Sequence, residues 1–161
     1  MRMITITHQR PVTALIQENF SIIMTFAFSR TSLLNWLNNR FEGEWKYLRM
    51  ACYELPEARA NRALLEFATQ LRLLDDEERL SGYLKQVDSL PLGRVFKDKG
   101  VEEDLFLRDM TNKIIHCSRI EWETSQPEDA KIICQASDKG RWLRAEISIS
   151  RLAAFCGGLV F

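Results

Sequence analysis

The sequence predicts an α+β protein, with a helical N-terminal two-thirds packed against a C-terminal three-stranded antiparallel meander and a short last helix. Three observations predict it. Apolar residues recur at helical intervals over roughly residues 11–117. The period then changes to two over roughly residues 118–149. Turn-forming residues separate the alternating runs. A lone meander cannot cover its own apolar face, so the helices are expected to cover it, and residues 1–161 are expected to form a single domain.

The first helix follows Pro11, a favoured early helical residue, and places Val12, Ile16, Phe20, Ile23 and Ala27 on one face. The hydroxyl-rich "SRTS" is expected to break it, and a second helix then carries Leu33, Leu34, Trp36, Leu37 and Phe41. A third helix over 44–55 carries Trp45, Leu48 and Cys52 and is expected to end before Pro56, because the residue before a proline resists the α region. Beyond it, Ala60, Ala63, Leu64, Phe67, Leu71 and Leu74 form a long apolar stripe. The following "DDEER" reads as a solvated face or a short kink. Residues 88–100, with Pro91, Gly93 and Gly100, read as the main connector. The acids of "VEEDLFLRDMTNKIIHC" then suit the first turn of another helix, where the macrodipole is positive.

After Ser118 the pattern alternates. Ile120 and Trp122 oppose Glu121 and Glu123. "KIICQAS" is apolar and β-branched. In "RWLRAEISI", Leu143, Ala145, Ile147 and Ile149 oppose Trp142, Arg144, Glu146 and Ser148. A turn at Asp138, Lys139 and Gly140 joins the last two strands. "SRLAAF" makes the last helix, stopped by Gly157 and Gly158. The leader "MRMITIT" alternates enough for a short strand and is equally compatible with a tail or a vector remnant.

Composition excludes several functions. Lys plus Arg and Asp plus Glu both number 22, so the chain lacks the basic excess of a nonspecific nucleic-acid binder. Cysteines at 52, 117, 134 and 156 have no CxxC spacing. They read as buried free thiols of a reducing compartment rather than zinc ligands, and no metal or cofactor is expected. The apolar run over 20–28 is too short to span a bilayer and lacks a cleavage site, which points to a cytoplasmic protein without a membrane segment. No phosphate-loop, dinucleotide or HExxH pattern occurs.

One polar row stands out. On a helical wheel with Arg108 at zero, Asn112 falls near ~40° and His116 near ~80°, opposite Phe106, Met110, Ile114 and Cys117. The plain reading is the wet face of an amphipathic helix, with Asp109 and Lys113 as a stabilising i, i+4 pair. The other reading is chemical. A histidine can take a 2′-hydroxyl proton, and an arginine can steady a charged phosphorane. "TNKIIH" (111–116) resembles the end of the motif helix of the HEPN family of helical bundles, many of them RNases or nucleotide-binding partners of toxin systems. Those proteins typically pair their motif helices across a dimer. The resemblance implies roles for Asn112 and His116, with Arg108 as a displaced substitute, since Thr111 occupies the place where the family's arginine usually stands. A second resemblance is one of layout. Residues 105–121, "KIICQAS" and "GRWLRAEISISRLAAF" are similar in order to small bacterial proteins of mobile gene cassettes, a group that implies no settled activity.

These readings point to a small binding or interaction protein, homodimeric, holding a protein partner or a small ligand. Asp109, Trp142 and Arg144 are its candidate binding residues. The alternative is a HEPN-like, metal-independent RNase or toxin-system protein using His116, Asn112 and Arg108, with RNA as its partner.

Overall fold

The computed structural model describes residues 4–5, 10–41, 43, 45–137 and 141–160. The fold is α+β, with helices first and sheet last. The first helix does not break at "SRTS". It runs unbroken as α1 (Arg10–Arg40), because the hydroxyls of Ser29 and Thr31 take carbonyl partners instead of competing with the helix. The Thr31 hydroxyl donates to the Thr124 carbonyl at 2.9 Å and so ties α1 to the sheet. The apolar run that looked too short to span a bilayer therefore belongs to a 31-residue helix. By length and composition alone α1 is long and apolar enough to cross a membrane, and in the fold it buries Ile16, Ile23, Phe26, Ala27 and Leu37 in the common core.

Pro56 does not end a helix either. The chain passes from α2 (Lys46–Arg49) through one π turn (Met50–Glu54) into α3 (Leu55–Glu78). The Leu55 N–H reaches back five residues to the Met50 carbonyl, a widened turn just before the missing proline N–H. The predicted stripe on α3 is buried throughout, from Ala60 to Leu74. Arg79 then takes a left-handed backbone (φ 53°), and α4 (Leu80–Gln86) leaves at a new angle.

The sheet has five strands, not three. The expected meander is present as β4 (Cys117–Glu123), β5 (Lys131–Ala136) and β6 (Arg144–Ser148), all antiparallel. A hairpin of β2 (Gly93–Phe96) and β3 (Glu102–Leu105) extends it beyond β6, giving the order β3-β2-β6-β5-β4. The supposed connector is thus a strand. A Cβ on Gly93 would lie 1.9 Å from the Glu146 carbonyl oxygen, so glycine is required by the close approach of β6. Lys99 and Gly100 both have positive φ and turn the hairpin. The acids taken for a helix start line an edge strand, where charge discourages pairing with another chain. The turn expected at 138–140 lies outside the described residues.

Helix α5 (Leu107–Ile115) packs on α3 and against β5 and β6. The last helix is α6 (Ile149–Gly157), its N-terminus capped by the Ser148 hydroxyl. The two residues of β1 (Ile4–Thr5) pair in parallel with β7 (Leu159–Val160). One core holds the layers together. Val95, Ile132, Cys134, Ala145 and Ile147 of the sheet pack with Leu64, Phe67 and Leu71 of α3 and with Met110 and Ile114 of α5. Trp122 meets Phe26 edge to face at 5.1 Å and donates its indole N–H to Asn61 on α3 at 2.8 Å. The other sheet face is an open lattice of opposite charges, including Arg94 with Glu102 and Lys131 with Glu146.

Candidate functional site

Leu107, Met110, Thr111 and Ile114 fix the orientation of α5 by entering the core. Arg108 and His116 are consequently exposed and Asn112 is half-buried, so the polar row does face away from the interior. Phe106 departs from the expected wheel, since it precedes the helix as an exposed residue. Thr111 turns inward and satisfies its hydroxyl on the Arg108 carbonyl at 2.9 Å.

Each residue of the row meets something different. The Arg108 Nη1 donates to Asp75 Oδ2 at 2.9 Å and to Asp76 Oδ1 at 2.6 Å. The Asn112 Oδ1 accepts from the Arg72 guanidinium. His116 lies just past the helix end. Its N–H bonds the Asn112 carbonyl at 3.0 Å and its carbonyl accepts from the Ser137 hydroxyl at 3.4 Å. The imidazole is exposed and has no hydrogen-bond or ionic partner among the described residues.

Asp75 organises this corner. Its side chain is 2% exposed. It accepts from the Ser81 N–H at 2.6 Å and the Ser81 hydroxyl at 2.8 Å, while Arg108 closes it from α5. Asp75 thereby satisfies a first-turn donor of α4 across the left-handed Arg79 and pins α3, α4 and α5 together. The Arg108 hydrogen bond, helped by the charges of Arg108 and Arg72, holds the Asp76 carboxyl below its usual range. In return Asp76, then Asp75, raise Arg108. The Arg72 Nε lies 3.5 Å from Asp76 Oδ2 but out of line, and makes no hydrogen bond.

This arrangement is a clasp. Two carboxylates balance the Arg108 charge, which would be needed for a developing phosphorane. Among the described residues no group of three or more His, Cys, Asp or Glu is placed to hold a metal ion. The sequence reading took "DDEER", with Asp75 and Asp76, as a solvated face or a short kink; the chain does kink at Arg79, but Asp75 is buried. A signal was present, since Asp75 stands four residues after Leu71 and continues the buried stripe.

The candidate binding residues do not gather into one site. Asp109 pairs with Lys113 at 3.2 Å, and the Lys113 ammonium sits 4.9 Å above the Trp142 ring. Trp142 packs on the core and Leu143 is exposed, the reverse of the expected alternation, because the regular strand begins only at Arg144. Arg144 stacks over Phe96 at 4.4 Å and pairs with Glu146 at 3.0 Å on the open face of the sheet.

The unsatisfied surface lies elsewhere, where α1 turns into α2. Trp36 meets Phe41 edge to face at 4.6 Å, and Phe41 meets Trp45 at 5.2 Å. Trp36 remains 46% exposed, Trp45 55% and Tyr47 70%. A groove of about 490 Å³ runs between α1 and α3, lined by Ile22, Thr25, Phe26, Leu33, Leu55 and Pro56 among others. Leu33 is one helical turn from Trp36, so recess and protrusion adjoin. Sequence reasoning assigned Trp36 and Trp45 to helix faces and gave them no further role. Neither known protein families, nor characterised proteins, nor solved structures provide a match to this chain.

Proposed function

We propose that this protein is an interaction module of a reducing compartment such as the cytoplasm, and that it pairs with a second copy of itself through the aromatic end of the α1 and α2 hairpin. The observation that carries this reading is the ladder of Trp36, Phe41 and Trp45, which leaves about half of each indole in water. Tryptophan is enriched where interfaces concentrate their binding energy, and a contiguous exposed apolar patch marks an interaction site. A twofold pair needs one self-complementary patch, and protrusion beside recess supplies both halves. A formal net charge of zero leaves little overall repulsion between identical copies. Four free cysteines fit a reducing environment. Sedimentation velocity across a concentration series tests the reading. A monomer–dimer equilibrium is expected, and a monomer at every concentration overturns it.

A second reading, a HEPN-like RNase, is favoured by one observation, the exposed and unpartnered imidazole of His116. It would have to work with Arg108 engaged by two carboxylates and Asn112 engaged by Arg72. RNA degradation abolished by His116→Ala would support it, and degradation unchanged in that variant would remove it.

A further inference from the structure

We propose that Cys117 and Cys134 form a redox-active pair across two strands, in which Cys117 reacts with a hydroperoxide and Cys134 resolves the product to a disulfide. Along β4, residues 119 to 123 pair with 135 to 131 in regular steps, so Ile120 lies opposite Cys134. Strict alternation would then put Cys117 on the open face with Arg119 and Glu121. A one-residue bulge between Cys117 and Arg119 changes this, and Cys117 pairs with Ala136. Ala136 lies two residues from Cys134 and on the same face of β5, so the bulge turns Cys117 inward, diagonal to Cys134. The neutral Cys117 thiol donates to the Ile114 carbonyl at 3.2 Å, at the end of α5.

The pair is asymmetric. Cys117 is half-buried at the α5 to β4 junction, whereas Cys134 is buried in the sheet. The neighbouring Cys134 side chain, with backbone N–H groups of the bulge, lowers Cys117 to about 7 against the cost of its burial. The negative sulfur beside it and its own burial push Cys134 well up. Near neutral pH the accessible sulfur is therefore partly thiolate while the inner one stays protonated, as a nucleophile and its resolving partner require. Cys156 contrasts, since burial alone pushes it up to about 12.

The chemistry balances. The Cys117 thiolate attacks one peroxide oxygen. A sulfur–oxygen bond forms, the oxygen–oxygen bond breaks, and the departing alkoxide or hydroxide takes a proton from water. Cys134 then loses its proton and attacks the Cys117 sulfur. The sulfur–oxygen bond breaks, and hydroxide leaves with that proton as water. The two sulfurs together lose two electrons, which the peroxide gains.

The test uses the reduced full chain and one equivalent of hydrogen peroxide, read by thiol count, intact mass and peptide mapping. The expected product lacks two hydrogens, links Cys117 to Cys134 and returns to the starting mass with dithiothreitol. In Cys134→Ser, the Cys117 sulfenic acid should accumulate and be trapped by dimedone. Because Cys134 is fully buried, Cys117→Ser at the half-buried position serves as a second variant, and its peroxide consumption should fall by roughly tenfold. A disulfide involving Cys52 or Cys156, or peroxide consumption unchanged in Cys117→Ser, would overturn the proposal.

Discussion

The two ends of α3 present opposite surfaces. At the C-terminal end Asp75, Asp76 and Arg72 meet Arg108 and Asn112 of α5 and Ser81 of α4, so most polar groups there find partners on another element. At the N-terminal end the chain enters α3 through a π turn, and Trp45, Tyr47, Met50 and Leu55 are exposed. The charged end is closed and the apolar end is open. Arg108 and Asn112, which look chemical in the sequence, are here engaged by neighbouring elements, while His116 stays exposed. The surface proposed to pair with a second copy is made of residues that look like core.

Breaking the closed end should have the largest effect on the fold. Asp75→Ala removes a buried acceptor of three hydrogen bonds, one of them to a charged donor, and is expected to cost about 3 kcal/mol of stability by denaturant titration. A loss below about 1 kcal/mol would mean that the clasp contributes little. At the open end the effect should fall on association instead. Trp36→Ala with Trp45→Ala should weaken self-association by about 2 kcal/mol, some thirtyfold in Kd by sedimentation, with little change in Tm. A large fall in Tm would instead make the ladder part of the fold. Between the two lies Trp122→Phe, which keeps the ring against Phe26 and loses only the bond to Asn61. It should cost about 1 kcal/mol in the same titration, leaving association intact.

The same contrast explains what could be read from the sequence. The α3 stripe was legible because six apolar residues repeat at one period and all are buried. The meander was legible because Ile132, Cys134, Ala145 and Ile147 alternate inward. The β2 and β3 hairpin was not, since its strands are four residues each and carry the marks of a loop. Gly93 is there for strand approach, Lys99 and Gly100 for the turn, and the acids for the edge. The outward direction of Arg108, Asn112 and His116 followed from the wheel. Their partners did not, because a carboxylate such as Asp75 is assigned to solvent by default, and only the tertiary approach of α5 makes its burial affordable.

The smallest expected effect separates two neighbouring carboxylates within the clasp. Asp76 is half exposed, and its hydrogen bond from Arg108 depresses its folded-state pKa below the ordinary 3.8. A depressed acid stabilises the fold above its unfolded value, and that contribution disappears as pH falls through the folded one. Asp76→Asn should therefore lower Tm slightly at neutral pH, and the gap from the parent should close as pH drops below about 4. High salt should also narrow it at neutral pH, because exposed charges are screened. Salt should leave most of the Asp75→Ala loss in place, since that carboxylate is buried, and should not weaken an association built on apolar rings. A Tm gap for Asp76→Asn that persists unchanged into acid would show that Asp76 acts through packing and not through its charge, and the closed end of α3 would then rest on Asp75 alone.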